Sequence, residues 1–234
     1  MVKPGEWLSR GWAAVQPNLG THVLIALIVG LGSALTAGLL SVPLFACYYR
    51  IMLRQLRDPS YRPTVGDLGE GFDVFVQALL AGIVIAVAVA IAGGVVTVVT
   101  FIVSFVPVVG QVIAPLLGSI FAVCVIALTL FVVPLITDRR MDFWAAIQLS
   151  IQTVTPRFVE YLGFAALIYL LNALGGALCG IGALFTMPAA VAATSIAYLE
   201  IMGAVPETPT DVQADAPPAA NPDASDTTQP MTNG

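Results

Sequence analysis

Charge is what this chain has least of. Charged residues fill 10% of its 234 positions and hydrophobic ones 58%, whereas a soluble domain is typically about a quarter charged. A soluble fold made from these residues would lack a polar surface, so the apolar side chains must face lipid. Histidine occurs once, at His22, and cysteine three times, at Cys47, Cys124 and Cys179. The three cysteines sit inside apolar runs, odd in number and without motif spacing. They read as small buried hydrophobes, with no zinc or haem pattern. No Asp or Glu lies deep in an apolar run. A metal site or proton relay at His22 therefore lacks partners, and an acid–base pair for intramembrane catalysis cannot be assembled. His22 reads as an interfacial polar residue at a helix start. The sequence thus offers no catalytic, cofactor-binding or metal-ligating residue, and the expectation is a non-enzyme.

Lys and Arg are also absent from residues 204–234, which hold Glu207, Asp211, Asp215, Asp223 and Asp226. That segment carries all of the net charge of -5, since the remaining residues balance nine basic against nine acidic groups. Such a balance gives no reason to expect nucleic-acid binding. Rich in Pro, Ala, Asp and Thr, the segment cannot bury enough apolar surface to fold. It is expected to be a disordered acidic tail, either a plain solubilising extension or a strip that docks a cytoplasmic protein. The domain boundaries are then 1–203 for a transmembrane helical domain and 204–234 for the tail. The first twenty residues, with Trp7, Trp12, Pro17 and Asn18 ahead of any apolar run, do not read as a cleaved signal. Leu44–Cys47 only loosely resembles a lipoprotein box, being late in the chain and having Phe45 at a position that is usually small.

What is present is length without charge. Three stretches, 11–49, 74–137 and 161–199, contain no Asp, Glu, Lys or Arg. A helix rises about 1.5 Å per residue and the hydrocarbon core is about 30 Å thick. The middle stretch must therefore turn back, and Phe105–Gln111, with Pro107 and Gly110, is the place. The last turns at Gly175, Gly176, Gly180 and Gly182. The first holds either one long tilted span or a tight pair turning near Gly32–Gly38. All basic residues fall in three clusters: Lys3 and Arg10; Arg50, Arg54, Arg57 and Arg62; Arg139, Arg140 and Arg157. Loops rich in Lys and Arg stay cytoplasmic. A hairpin in the first stretch puts every cluster on one side. The expected fold is an all-α polytopic bundle of six spans (five if the first stretch crosses once) in the cell membrane, with the tail cytoplasmic. Runs such as Val95–Thr100 are rich in β-branched residues, but in lipid only a helix or closed barrel satisfies the backbone, and nothing here alternates as a barrel does.

Each basic cluster adjoins an amphipathic stretch, read as a short helix at the cytoplasmic interface. Val65, Leu68, Phe72 and Phe75 form one face in 64–76, where Thr64 and Asp67 resemble a capping box. Trp144, Ile147, Ile151 and Val154 form another in 141–154, and Trp7, Leu8, Trp12 and Val15 a third. Trp12–Gln16 (WAAVQ) matches Trp144–Gln148 (WAAIQ). Ser41-Val42-Pro43 resembles Thr186-Met187-Pro188, with Val132-Val133-Pro134 a poorer copy. These matches suggest a repeated unit of interfacial helix, span, turn and Pro-containing span.

The segment Gly182–Pro188 with Tyr198, the pairs Gly66-Asp67-Leu68 and Gly71-Phe72, and residues 134–140 together resemble a bacterial group of uncharacterised multi-pass integral membrane proteins. That group is similar to the membrane domain sometimes fused to glycerophosphodiester phosphodiesterases. The resemblance covers roughly residues 5–203 and implies a fold and a bacterial inner membrane, but no catalytic residue.

The remaining polar groups near the spans are Gln77, Thr97, Thr100, Gln111, Asn172, Thr194 and Ser195. They serve either helix–helix hydrogen bonding or a path for a neutral solute. Asp73, Asp138, Glu160 and Glu200 sit at span ends, where Arg pairing is expected, as for Asp138 beside Arg139. Small-residue stripes, Gly82-Ala86-Ala90-Gly94 and Ala189-Ala193-Ala197, allow close packing within the bundle or a homo-oligomer contact. Pro43, Pro134 and Pro188 mark either kinks or a substrate site. Two functions follow: a non-enzymatic scaffold or regulatory component, and a transporter or channel for a small neutral or hydrophobic solute.

Overall fold

The computed structural model describes residues 3–58, 60–105, 109–177 and 181–203; the tail, Cys179, Gly180 and Pro107 lie outside the described residues. Among these, the chain is entirely helical. Nine α-helices follow in order: α1 Pro4–Val15, α2 Leu19–Leu35, α3 Ser41–Arg57, α4 Phe75–Ser104, α5 Val109–Thr129, α6 Val132–Arg139, α7 Phe143–Val154, α8 Phe158–Ala177 and α9 Ala183–Met202. Five helical segments are long and apolar enough to cross a membrane: Pro4–Leu35, Phe75–Val103, Gln111–Arg139, Phe143–Ala177 and Ala183–Met202. The protein is a polytopic membrane helix bundle.

The first uncharged stretch does fold back on itself. The chain turns between α2 and α3 at Thr36–Leu40, with Ala37 and Gly38 in the left-handed region (φ 48° and 85°). Gly38 N donates to Ser33 O at 2.7 Å and Ala37 N to Ala34 O at 3.2 Å, the paired bonds of a Schellman turn. The return limb α3 has 17 residues, with Arg50 and Arg54 in its second half. It is not among the five long apolar segments, so six equivalent spans are not what the fold presents.

Prolines act here by where they start helices. Pro43 and Pro134 are third residues of α3 and α6, in the first turn, where a missing N–H costs little. Pro43 therefore does not kink α3, whereas Pro134 follows a break inside the long segment Gln111–Arg139. The ring of Pro134 crowds the carbonyl four residues back, at Leu130, and α5 breaks from α6 there. Ser150 from α7 fills the gap: its Oγ donates to Leu128 O at 2.8 Å and accepts from Phe131 N at 3.3 Å. Pro188 does lie inside a helix, as does Pro115 in α5.

The repeat is visible in burial. Trp7, Gly11 and Val15 are the buried residues of α1; Ala146, Ser150 and Val154 are those of α7, a constant displacement of 139 residues. The same displacement maps His22, Ile25, Ala26 and Val29 of α2 onto Tyr161, Phe164, Ala165 and Ile168 of α8. A 3-10 turn with proline second, at Pro17 and Pro156, joins each pair. The string match at Trp12 and Trp144 is seven residues out of this register. Seven residues is close to two helical turns, so both alignments share a face. Trp144 and Ile151 are 52% and 41% exposed. In α7 two members of the expected apolar face, Trp144 and Ile151, thus point outward, while Val154 and the small residues Ala146 and Ser150 are buried.

The stretch 64–76 departs from expectation. Val65–Val74 is a 3-10 run, and α4 starts at Phe75. Three glycines interrupt it, and Gly71 lies so close to α3 that an added Cβ would sit 2.7 Å from Cys47 Cα. Half of the expected capping pair forms, with Thr64 N donating to Asp67 Oδ2 at 2.8 Å.

Candidate functional site

Two sites stand out, one charged and one not. The charged one closes one end of the bundle. Arg50 on α3 pairs with Asp73 at 2.5 Å, and Arg140 meets the same carboxylate at 2.8 Å. Arg57 grips Asp138 with both terminal nitrogens, at 2.5 and 2.7 Å, while the Tyr198 hydroxyl donates to Asp138 Oδ2 at 2.9 Å. The partner of Asp138 is thus Arg57, 81 positions away, rather than the adjacent Arg139 alone. Arg139 donates to Met202 O at 2.7 Å. Arg10 and the indole of Trp7 both reach Glu200. Arg54 lies over the Tyr61 ring, 4.4 Å from its centroid, and pairs with Glu70. Members of all three basic clusters therefore meet at the same end. A cleft of about 380 Å³ opens among them, lined by Arg50, Arg54, Arg57, Glu70, Asp138 and Arg140. Its cations are already matched by carboxylates, so it functions as a clamp rather than as an anion pocket.

The clamp is sensitive to acid. The Arg50 hydrogen bond holds Asp73 below the ordinary carboxylate value of 3.8, helped by the charges of Arg50 and Arg140 and opposed by burial. A depressed pKa contributes stability above the unfolded value that is lost as pH falls through the folded one. Protection of residues 65–74 against hydrogen exchange, taken relative to the intrinsic rate at each pH, is expected to fall below about pH 4 in the native chain. In Asp73→Asn that protection is expected to be low already and flat with pH.

The uncharged site lies among α3, α5, α6, α8 and α9. A cavity of about 310 Å³ is lined by Phe45, Ile126, Leu130, Val133, Ile168, Met187, Ala190 and Val191, with Tyr49, Thr129, Asn172 and Thr194 as its polar groups. That volume is at the lower end of small-ligand pockets. Tyr49 and Thr194 both line the cavity, from α3 and α9. Thr129 Oγ1 donates back to Val125 O at 2.7 Å and Asn172 Nδ2 to Ile168 O at 2.9 Å. Asn172 Oδ1 takes no hydrogen bond from any described residue and is left as an acceptor. Pro188 explains part of the opening, because the first turns of α9 carry Met187 and Ala190 past a helix that lacks one N–H. No charged side chain reaches the cavity.

Of the polar residues expected near the spans, only Asn172 and Thr194 come together here. Gln77 Oε1 accepts from Phe143 N at 3.2 Å and so starts α7. Thr97, Thr100 and Ser195 donate to their own helices, and Gln111 is exposed. His22 is fully buried and has partners after all: Gln55 Oε1 at 2.8 Å and the Tyr48 hydroxyl at 3.3 Å. Gln55 also donates to Ala14 O at 2.9 Å, which turns its carbonyl oxygen toward the ring. The three form a neutral tie between α1, α2 and α3. Cys47 is buried and Cys124 half-buried, both as free thiols. The Ala189-Ala193 stripe is used within the chain, against Gly11, whereas of the other stripe only Gly82 packs, against Val42, and Ala86, Ala90 and Gly94 are exposed. Among the described residues no His, Cys, Asp and Glu group is placed to hold a metal. The sequence reading did not single out Phe45, Tyr49 or Thr129 for a site and named Met187 only within a proline motif; the one signal was position within two helical turns of a proline. No known family, curated protein or solved structure matches the chain.

Proposed function

We propose that the central cavity binds a small, uncharged, largely apolar molecule, and that the protein serves as a membrane carrier or channel for it. The observation that carries this reading is the chargeless lining, apolar on most sides, with Asn172 at its exposed rim. Such a lining selects against ions, whose desolvation nothing there offsets. The polar groups fix orientation and the apolar walls supply affinity. Octanol carrying a photoactivatable diazirine, added to the protein in lipid nanodiscs, is the probe. Labelling of Tyr49 and Met187 that plain octanol competes away, and that Ala190→Phe removes by filling the cavity, is the expected result. Labelling spread evenly over the exposed faces and indifferent to Ala190→Phe would sink the reading.

A second reading, a non-enzymatic scaffold or regulatory component, is favoured by the clamp. It joins α1, α3, α6 and α9 into one platform at the end of α9, after which the sequence continues into the acidic residues 204–234. Native pull-downs then yield a stoichiometric protein partner that is lost on deleting 204–234; a partner retained without that segment argues against it. For both readings we place the clamp in the cytoplasm, because it gathers arginines from all three clusters. Three hairpins with six membrane-embedded limbs then leave Pro4 and Met202 on that side, in agreement with Arg10 and Arg139 both meeting the end of α9. We also propose membership of the bacterial multi-pass group that the chain resembles. Its Gly66-Asp67-Leu68 and 134–140 motifs fall beside the clamp, and its Thr186-Met187-Pro188 motif falls at the cavity.

A further inference from the structure

We propose that α2 and α3 form a re-entrant hairpin that turns near the middle of the bilayer, and that the step it leaves against α4 holds the chain ends of lipids from the opposite leaflet. The inference rests on the cytoplasmic placement of the clamp and concerns a different surface from the central cavity. Depth is read along two helices that share reference points. Arg50 on α3 is paired with Asp73, just before α4. Val42, beside the turn, packs on Gly82 of α4, where an added Cβ would lie 3.0 Å from Val42 Cγ2. From Arg50 to Ser41 is nine residues, and from Asp73 to Gly82 also nine, about 13 Å at 1.5 Å per residue. That is roughly half of a 30 Å core. Beyond Gly82, α4 runs a further 22 residues to Ser104, about 33 Å more. The first hairpin therefore stops far short of the end of the second.

The turn is built for hydrocarbon. Leu35 is 86% and Leu39 60% exposed, a poor surface for water. Non-helical backbone at that depth is tolerated only when its polar groups are satisfied. Here they are. Beyond the Schellman pair, Leu39 N donates to Thr36 O at 3.0 Å, Leu40 N to Thr36 Oγ1 at 3.2 Å and Ser41 N to Gly38 O at 3.1 Å. The hydroxyls of Thr36 and Ser41 are spent on Gly32 O and Gly38 O. No backbone donor from Ala37 to Ser41 is left for water. Beside this turn, a groove of about 680 Å³ runs between residues 37–42 and Gly82–Ala90, without a charged residue. At mid-bilayer depth the only apolar matter at hand is lipid chain ends. The step along α4, with small residues Gly82, Ala86 and Ala90 as its wall, lies open to an acyl chain.

The full chain with Cys47, Cys124 and Cys179 replaced by alanine carries one cysteine at a time: Leu39→Cys at the turn, Ser60→Cys for the clamp side, Phe105→Cys for the far end of α4. A membrane-impermeant maleimide is expected to label Ser60→Cys from the cytoplasmic face and Phe105→Cys from the other. Leu39→Cys is expected to react roughly tenfold or more slowly from either. Bimane attached to the Leu39→Cys variant is expected to be quenched more by lipids nitroxide-labelled at the chain end than near the headgroup. Ala86→Cys, on the opposite wall of the groove, is expected to give the same depth and covers a Leu39 variant that fails to insert. Labelling of Leu39→Cys from the far face at the rate of Phe105→Cys means a full crossing and overturns the proposal. Stronger quenching from the headgroup position at both sites overturns it as well. Octanol labelling of the central cavity is unaffected by either outcome.

Discussion

Gly11→Val is expected to destabilise the protein by about 3 kcal/mol. Helix α1 lies along α9 with its backbone nearly touching. A Cβ at Gly11 would stand 2.7 Å from Ala193 N and 3.0 Å from Ala193 Cα. Both are backbone atoms, so nothing there can rotate away. The added methyl groups must push α1 off α9, and the displacement would carry Trp7 with it. Trp7 is 1% exposed, stands edge-on to Phe164 with centroids 5.0 Å apart, and donates its indole N–H to Glu200 at 2.6 Å. Those contacts are lost together, which puts the cost at the upper end of overpacking. Gly5→Ala and Gly20→Ala are the controls, because neither position has an atom within 4 Å of the added carbon. They are expected to be neutral or slightly stabilising, since alanine favours helix. Thermal midpoints in detergent check the set. A Gly11→Val protein melting with the wild type would mean that α1 is not seated on α9.

That contact was legible in the sequence only from one side. The Ala189-Ala193-Ala197 stripe announced a close approach, but its partner, Gly11, lay in a segment read through Trp7, Leu8, Trp12 and Val15. Hydropathy weights large residues, whereas helix packing in lipid is decided by small ones. The same bias explains the face of α7. Trp144 and Ile151 of the visible apolar stripe point outward, while Ala146 and Ser150 pack beside Val154. Class, turns and the hairpin in the first stretch follow from run length, because a helix has a fixed rise and a bilayer a fixed thickness. Limb length does not follow from charge-free length. The uncharged run 11–49 begins with the last residues of α1, which pack on α9, and the turn at Thr36–Leu40 takes five more, so what is left for α2 and α3 is short. The cavity was half legible. Asn172 and Thr194 are conspicuous in apolar helices, but only the fold brings α5, broken by Pro134, against Met187 and Ala190 beside Pro188. Ion pairs at separations such as Arg57 to Asp138 carry no local signal at all.

The second large effect concerns that pair. Asp138→Ala is expected to cost about 2–3 kcal/mol, while Arg54→Ala is expected to stay within about 0.5 kcal/mol. Both remove one member of an ion pair, so burial must decide between them. The Arg54 and Glu70 side chains are 54% and 57% exposed, and water replaces either partner. The Asp138 side chain is 15% exposed and holds two donors. Arg57, itself 53% exposed, can turn to solvent once the carboxylate is gone. Tyr198, at 1% exposure, cannot, and its hydroxyl loses the only carboxylate it donates to. A buried donor left without its acceptor costs about 1–3 kcal/mol, which makes Tyr198 rather than the arginine the seat of the penalty. The attribution can be checked without reference to the total. Tyr198→Phe is expected to cost clearly less in the Asp138→Ala background than in the native one, a coupling of about 1 kcal/mol. Arg57→Gln is expected to show weaker coupling to the same background. Additive losses for Tyr198→Phe and Asp138→Ala would show that the hydroxyl has another acceptor, and would shift the clamp's weight back onto its charges. In that event added salt should weaken it; if Tyr198 carries the cost, salt should leave the midpoint nearly unchanged.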